Sequence, residues 1–155
     1  MLFKELNIQE KIDFFVKCQY LLLENYPQSR FIVTHEKLEE KLNFFKKSID
    51  TYSGAFLVTD SMCLLYNRIS IDNPNDVIEE YKRAKNSTYI PNGNCVLISF
   101  LVAKPTPDNL QSFIKPFEEV DYVMFLRGEK VSIIPKDLFL SKANEVVSMR
   151  GHLFF

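Results

Sequence analysis

The sequence predicts an α/β (α+β) domain, a mixed and mostly antiparallel sheet flanked by helices. Three observations lead there. Residues 95–103 (CVLISFLVA) form a nearly continuous apolar run, the pattern of a strand buried on both faces at the centre of a sheet. Two pairs of shorter branched or aromatic runs are each split by two turn-forming residues, Asp60-Ser61 and Gly128-Glu129, as in β-hairpins. Between and before these runs, apolar residues recur at helical spacing.

In chain order, Ile8, Ile12, Phe15, Val16, Leu22 and Leu23 mark an amphipathic helix over 8–25, which Pro27 stops. A second helix is expected from Thr34 as N-cap, with Glu36 in its first turn and Leu38, Leu42, Phe45 and Ile49 on its buried face. Gly54 stands near where that helix must end. Strands at 55–59 and 62–71 follow, then a break at Asn73-Pro74-Asn75 and a short helix over 76–85 whose narrow apolar face is Val77, Ile78 and Tyr81. Residues 86–94 are polar and read as a loop leading into the central strand.

After that strand the helix signals are sharp. Thr106 can cap, Pro107 takes the first helical position, and Leu110, Phe113, Ile114 and Phe117 give the stripe. Pro116 lacks the N–H that would bond the Ser112 carbonyl, so an early end or kink is expected there. Strands at 121–127 and 130–135 complete the sheet. The unit from 95 to 127 reads as a right-handed crossover between parallel strands, which makes the sheet mixed. Residues 136–155 show weak periodicity, with a turn of helix at 136–140. The chain is read as a single domain over 1–155, with 136–155 as a C-terminal extension.

Composition excludes several functions. With 46% apolar and 25% charged residues the chain is that of a globular domain, and a net charge of −1 supplies no field to draw it onto nucleic acid or an anionic membrane. The four glycines, at 54, 93, 128 and 151, are too far apart for any G-x-G-x-x-G or Walker-type loop. Cys18, Cys63 and Cys95 are odd in number and scattered through apolar patterns, as inert core thiols of a reducing compartment would be. The first ten residues carry Lys4, Glu5 and Glu10, unlike a signal or transit peptide, and no apolar run reaches the ~20 residues that span a bilayer. A cytoplasmic location follows, without membrane or nucleic-acid partners.

The order of two helices, a strand hairpin, a long apolar strand, a helix directly after it and a further strand pair resembles the GNAT-type N-acyltransferase fold, in the trimmed form that phages often encode. That resemblance covers residues 8–135. It implies an acyl-CoA cofactor such as acetyl-CoA, with its pyrophosphate on backbone amides of a glycine-bearing loop between the long strand and the next helix. The corresponding residues are 104–111 (KPTPDNLQ), where Ala103, Lys104, Thr106 and Asn109 are the candidate contacts. The loop departs from the family pattern. Its glycines are absent, Pro105 and Pro107 have no N–H, and Asp108 places negative charge where a helix dipole would attract an anion. Within the resemblance, Tyr122 is the candidate general acid.

The expected function is therefore a non-catalytic GNAT-like protein that binds another protein or self-assembles, without cofactor, in a host cytoplasm or a virion if phage-encoded. The alternative is an acyl-CoA-dependent N-acyltransferase with an atypical loop. The 14 Phe and 7 Tyr exceed what a small core hides, and Leu153, Phe154 and Phe155 at the C-terminus are candidate partner anchors. No metal site is expected, since His35 and Glu39 share a helix face but have no third ligand near in sequence. The acidic pairs Glu39-Glu40, Glu79-Glu80 and Glu118-Glu119 diverge on helices and read as solubility features.

Overall fold

In the computed structural model, residues 2–25, 43, 47, 52–127 and 129–149 are described. After a short 3₁₀ turn (Phe3–Glu5) the order is α1 (Ile8–Asn25), β1 (Ala55–Thr59), β2 (Met62–Ile69), α2 (Val77–Ala84), β3 (Cys95–Ala103), α3 (Pro107–Phe113), a 3₁₀ turn (Lys115–Phe117), β4 (Tyr122–Arg127), β5 (Lys130–Pro135) and α4 (Lys136–Met149). The five strands lie in sequence order in one open sheet. Neighbours are antiparallel except β3 and β4, which run parallel. The expected helix at 34–49 falls outside the described residues, apart from Asn43 and Lys47, which are helical and exposed. Gly128 of the expected second hairpin turn also falls outside them, as do the terminal residues Leu153, Phe154 and Phe155. Among the described residues, no helix is long and apolar enough to cross a membrane.

Strand alternation sorts the core onto two faces. On one, Cys63 and Leu65 of β2 with Phe100 and Val102 of β3 pack under α1, against Phe3, Phe14, Phe15, Cys18, Leu21 and Leu22. Farther along the same face, Ile69, Cys95, Leu97 and Met124 meet Ala84 and Tyr81 of α2. On the other face, Met62, Leu64, Leu101, Ala103 and Val123 lie beneath α3 and α4. The alternation survives a β-bulge. Leu65 pairs with Phe100 and Tyr66 with Ile98, so Ser99 is the extra residue, and Phe100 stays on the α1 side. Tyr52 joins the sheet at its edge by donating its hydroxyl to the Tyr66 carbonyl at 2.8 Å. Gly54 permits that approach, because a Cβ there would lie 2.7 Å from Cζ of Tyr52.

Four expectations are corrected. In α1 the buried apolar residues are Phe14, Phe15, Cys18, Leu21 and Leu22, whereas Ile8, Ile12 and Val16 are exposed. The helix carries two apolar arcs, and the arc with more aromatic area faces the sheet. In α2 the side chain turned fully inward is not Ile78, which is 63% exposed, but Glu80 at 3%. One carboxylate oxygen, Oε1, accepts from the backbone N–H groups of Asp72 and Asn73 and pairs with Arg83, which compensates its burial, while the other, Oε2, is buried without a hydrogen-bond partner. The acid pair Glu79-Glu80 is thus not simply a solvated feature, and Glu119 forms an ion pair with Arg68 at 3.3 Å. Lastly, residues 136–149 form a full helix rather than one turn, with Ala143, Val146 and Val147 buried. Phe139 and Leu140 pack on the same cluster, but beyond them the buried face carries only Ala143, Val146 and Val147 among polar residues, a weaker signal of period than large side chains give.

Candidate functional site

The loop expected to matter most joins β3 to α3. Thr106 adopts an extended backbone and its hydroxyl accepts from Asn109 N–H, while Pro107 occupies the first helical position, as capping chemistry dictates. α3 ends at Phe113, followed by the 3₁₀ turn that contains Pro116, because the missing proline N–H stops the α-helical ladder.

Asn109 is the centre of this corner. It is 6% exposed, and its amide nitrogen donates to Ser61 Oγ and to the Lys104 carbonyl, each at 2.8 Å. Its side-chain oxygen accepts from Thr59 Oγ1 at 2.6 Å. One side chain therefore binds the β1–β2 turn, the end of β3 and the first turn of α3 into a single polar knot. Lys104 N–H donates to the Ser61 carbonyl and Thr106 N–H to the Lys104 carbonyl, both at 2.9 Å. Leu110 N–H bonds the Thr106 carbonyl as the first helical hydrogen bond. Across 104–110 two positions are prolines, and four of the five N–H groups have internal acceptors, leaving only that of Asp108.

The surface over this corner is a shallow depression, continuous with solvent and lined by Met62, Ala103, Thr106, Asn109, Phe113 and Val147 among others. It encloses no space for a water molecule. Lys104 is exposed at its rim. All four candidate contacts, Ala103, Lys104, Thr106 and Asn109, are thus gathered at one place.

The parallel pair beside it opens like a wedge. β3 and β4 are in register only at Cys95↔Tyr122, Val96↔Val123 and Leu97↔Met124, and the remaining residues of β3 have no partner on β4. On the α3 and α4 side, this region is packed with aromatic rings. Phe139 lies 5.8 Å from Phe113, 5.4 Å from Phe117 and 5.8 Å from Phe125, centroid to centroid, and Phe113 stands 4.9 Å from Phe117. Phe113 and Phe117 are fully buried. Phe139 lies on α4, of which the sequence periodicity predicts only one turn.

Tyr122 is not brought to the loop. It pairs with Cys95 at the opposite end of β3 from Ala103, about 26 Å away at ~3.3 Å per residue, and packs on the α2 side of the sheet. The candidate anchors Leu153, Phe154 and Phe155, and His35 with Glu39, lie outside the described residues. Thr59 and Ser61, which complete the Asn109 knot, have no sequence signal beyond their place beside a turn. Their link to Asn109 spans about fifty residues and exists only once β2 has paired with β3.

No protein-family model, curated protein or solved structure matches the chain.

Proposed function

We propose that this protein is a non-catalytic, GNAT-like interaction protein that works by presenting apolar surface to another protein or to a second copy of itself. The observation that carries the reading is the commitment of the 104–110 amides to internal acceptors. A diphosphate needs several convergent N–H groups at a helix start, and here capping, tight turns and prolines consume them. Freeing them for a ligand would break the Lys104–Ser61 link and the Thr106 cap of α3. The surface offered instead is the outer face of α1, where Ile8, Ile12, Val16 and Tyr20 are 58%, 44%, 58% and 64% exposed at every fourth position. A continuous apolar stripe of this kind is characteristic of interaction surfaces.

A second reading, an acyl-CoA-dependent N-acyltransferase, draws support from the parting of β3 and β4 after Leu97↔Met124, the place where the resemblance puts an acyl donor. In that case Ala103, Lys104, Thr106 and Asn109 contact the cofactor. Calorimetric titration with acetyl-CoA separates the two. The interaction reading expects no saturable heat, and saturable binding weakened by Lys104→Ala overturns it in favour of the second. A protein that sediments as a clean monomer at high concentration, with no partner recovered from its native source, also counts against the interaction reading.

A further inference from the structure

Of the asparagines in the chain, only Asn92 is followed by glycine. The pair lies in the turn Ile90-Pro91-Asn92-Gly93 before β3, which is closed by the Gly93 N–H donating to the Ile90 carbonyl at 3.0 Å. Pro91 and Asn92 are exposed, whereas Gly93 is buried against the Ile69 backbone. The same few residues fasten one end of the sheet. Ile90 N–H bonds the Arg68 carbonyl at 2.8 Å, and the Gly93 carbonyl accepts from Arg68 Nε at 2.9 Å. The Asn94 side chain exchanges two hydrogen bonds with the Ile71 backbone, at 2.9 and 3.0 Å, and the Asn94 carbonyl accepts from the N–H groups of Asp121 and Tyr122. Residues 90–94 therefore join the end of β2 to the starts of β3 and β4.

We propose that Asn92 is a site of spontaneous deamidation, gated by opening of this turn, and that its isoaspartate product unfastens this end of the sheet. The chemistry needs only water. The Gly93 backbone nitrogen loses its proton and attacks Cγ of Asn92. The N–Cγ bond forms, the Cγ–Nδ2 bond breaks, and the side-chain nitrogen leaves as ammonia. Water then adds to one of the two carbonyls of the resulting succinimide. Cleavage of the bond from Cγ to the Gly93 nitrogen gives aspartate. Cleavage of the bond from the Asn92 main-chain carbonyl carbon gives isoaspartate, whose backbone runs through Cβ. Glycine permits the attack because it has no Cβ to shield its nitrogen or restrict its rotation.

The fold holds the reaction back. In the closed turn the nucleophilic nitrogen keeps its proton in the bond to Ile90, and the close approach to Ile69 fixes Gly93 in place. Ring closure has to swing that nitrogen onto Cγ, so it proceeds from the locally opened turn, at a rate set by the opened fraction. Isoaspartate then adds a main-chain carbon and a negative charge directly before Gly93. Gly93 and Asn94 lose their register with Arg68, Ile71 and Tyr122.

The test is incubation of the full chain at pH 8, in buffer and in denaturing urea, followed by peptide mapping and by enzymatic methylation of isoaspartate with S-adenosylmethionine. The Asn92 peptide is expected to exchange NH2 for OH in both samples, more slowly in buffer by a factor of at least about ten. Arg68→Lys, which loses the Nε bond to Gly93, should narrow that ratio. Asn92→Gln should abolish the product and keep the Tm of fresh protein, because this side chain is exposed. Protein aged in buffer should melt below fresh protein and below Asn92→Asp, which carries the charge without the extra main-chain carbon. Equal rates in buffer and urea, conversion in urea only, faster conversion at another asparagine, or an unchanged Tm in isoaspartate-bearing protein would each overturn the proposal.

Discussion

The hydroxyl of Thr59 donates to the side-chain oxygen of Asn109 at 2.6 Å, tying the end of β1 to the first turn of α3. Because Asn109 also donates to Ser61 and Lys104, its removal strands several part-buried groups at once. Asn109→Ala is expected to destabilise the protein by about 3 kcal/mol and lower Tm by about 6–12 °C. Asn109→Asp should lose most of that stability as well, since a carboxylate cannot donate to Ser61 Oγ or the Lys104 carbonyl. Thermal unfolding measures both, and a drop under 1 kcal/mol for each would show the knot to be dispensable.

The close approach at Gly93 gives a second expectation. Its N–H bonds the Ile90 carbonyl, its carbonyl accepts from Arg68 Nε at 2.9 Å, and a Cβ would fall 2.6 Å from the Ile69 carbonyl carbon. That neighbour is strand backbone and has little room to yield. Gly93→Ala should therefore destabilise by about 2–4 kcal/mol, read from urea unfolding.

The two apolar arcs of α1 differ in their response to substitution. Phe15 is buried against Phe3, with ring centroids 6.4 Å apart, so Phe15→Ala should cost about 3–5 kcal/mol. Ile12→Glu, on the outer arc, should change the stability of the monomer by no more than about 0.5 kcal/mol. If the interaction reading holds, it abolishes association seen by sedimentation. Equal destabilisation by both substitutions would mean that the outer arc is covered.

Glu80 and Arg83 form a coupled pair, with Arg83 also reaching Asp72 at 3.1 Å. Arg83→Met leaves the Glu80 carboxylate buried without its cation, and a measurable loss of stability is expected. In the Glu80→Gln background the same change should matter far less. A double-mutant cycle with no coupling between the two positions would contradict this.

Alkaline pH should weaken the fold in a defined window. Burial pushes the Cys95 thiol from 9.0 up to about 12, with a contribution from the Glu80 charge and against a bond from the Met124 backbone. Below pH 9 the thiol is protonated in both states and stability is unaffected. Between about pH 9 and 12 the unfolded chain releases this proton while the native state keeps it, so stability falls by about 1.4 kcal/mol per pH unit from this group. Cys18 and Tyr52, also shifted upward by burial, act in the same direction. Cys95→Ala should flatten the slope by about that amount in urea titrations at pH 9 to 11, and an unchanged slope would rule out its burial as the source.

Elements carried by strong local rules were legible in advance. The run 95–103 appears as β3 with those bounds, and the Thr106-Pro107 start of α3 and its early stop before Pro116 follow capping and proline chemistry. α4 was not, because Ala143, Val146 and Val147 signal burial too weakly beside the lysines and serines of the same stretch. For the candidate site, Lys104, Thr106 and Asn109 were identified as a group, but the groups that hold Asn109 were not, since Thr59 and Ser61 approach it only through strand pairing.

The sequence by itself determined the class of fold, the bounds of most strands and the missing glycines at 104–111, because each depends on periodicity, turn chemistry or the presence of an N–H within a few residues. Tertiary structure alone decided which arc of α1 is buried, that Glu80 turns inward, that β3 and β4 pair only from Cys95↔Tyr122 to Leu97↔Met124, and that Phe113, Phe117, Phe125 and Phe139 cluster on the α3 and α4 side of the sheet. These are choices between faces and partners that local spacing permits equally. They are made by the apolar area and the hydrogen-bond acceptors that become available only when distant strands have paired.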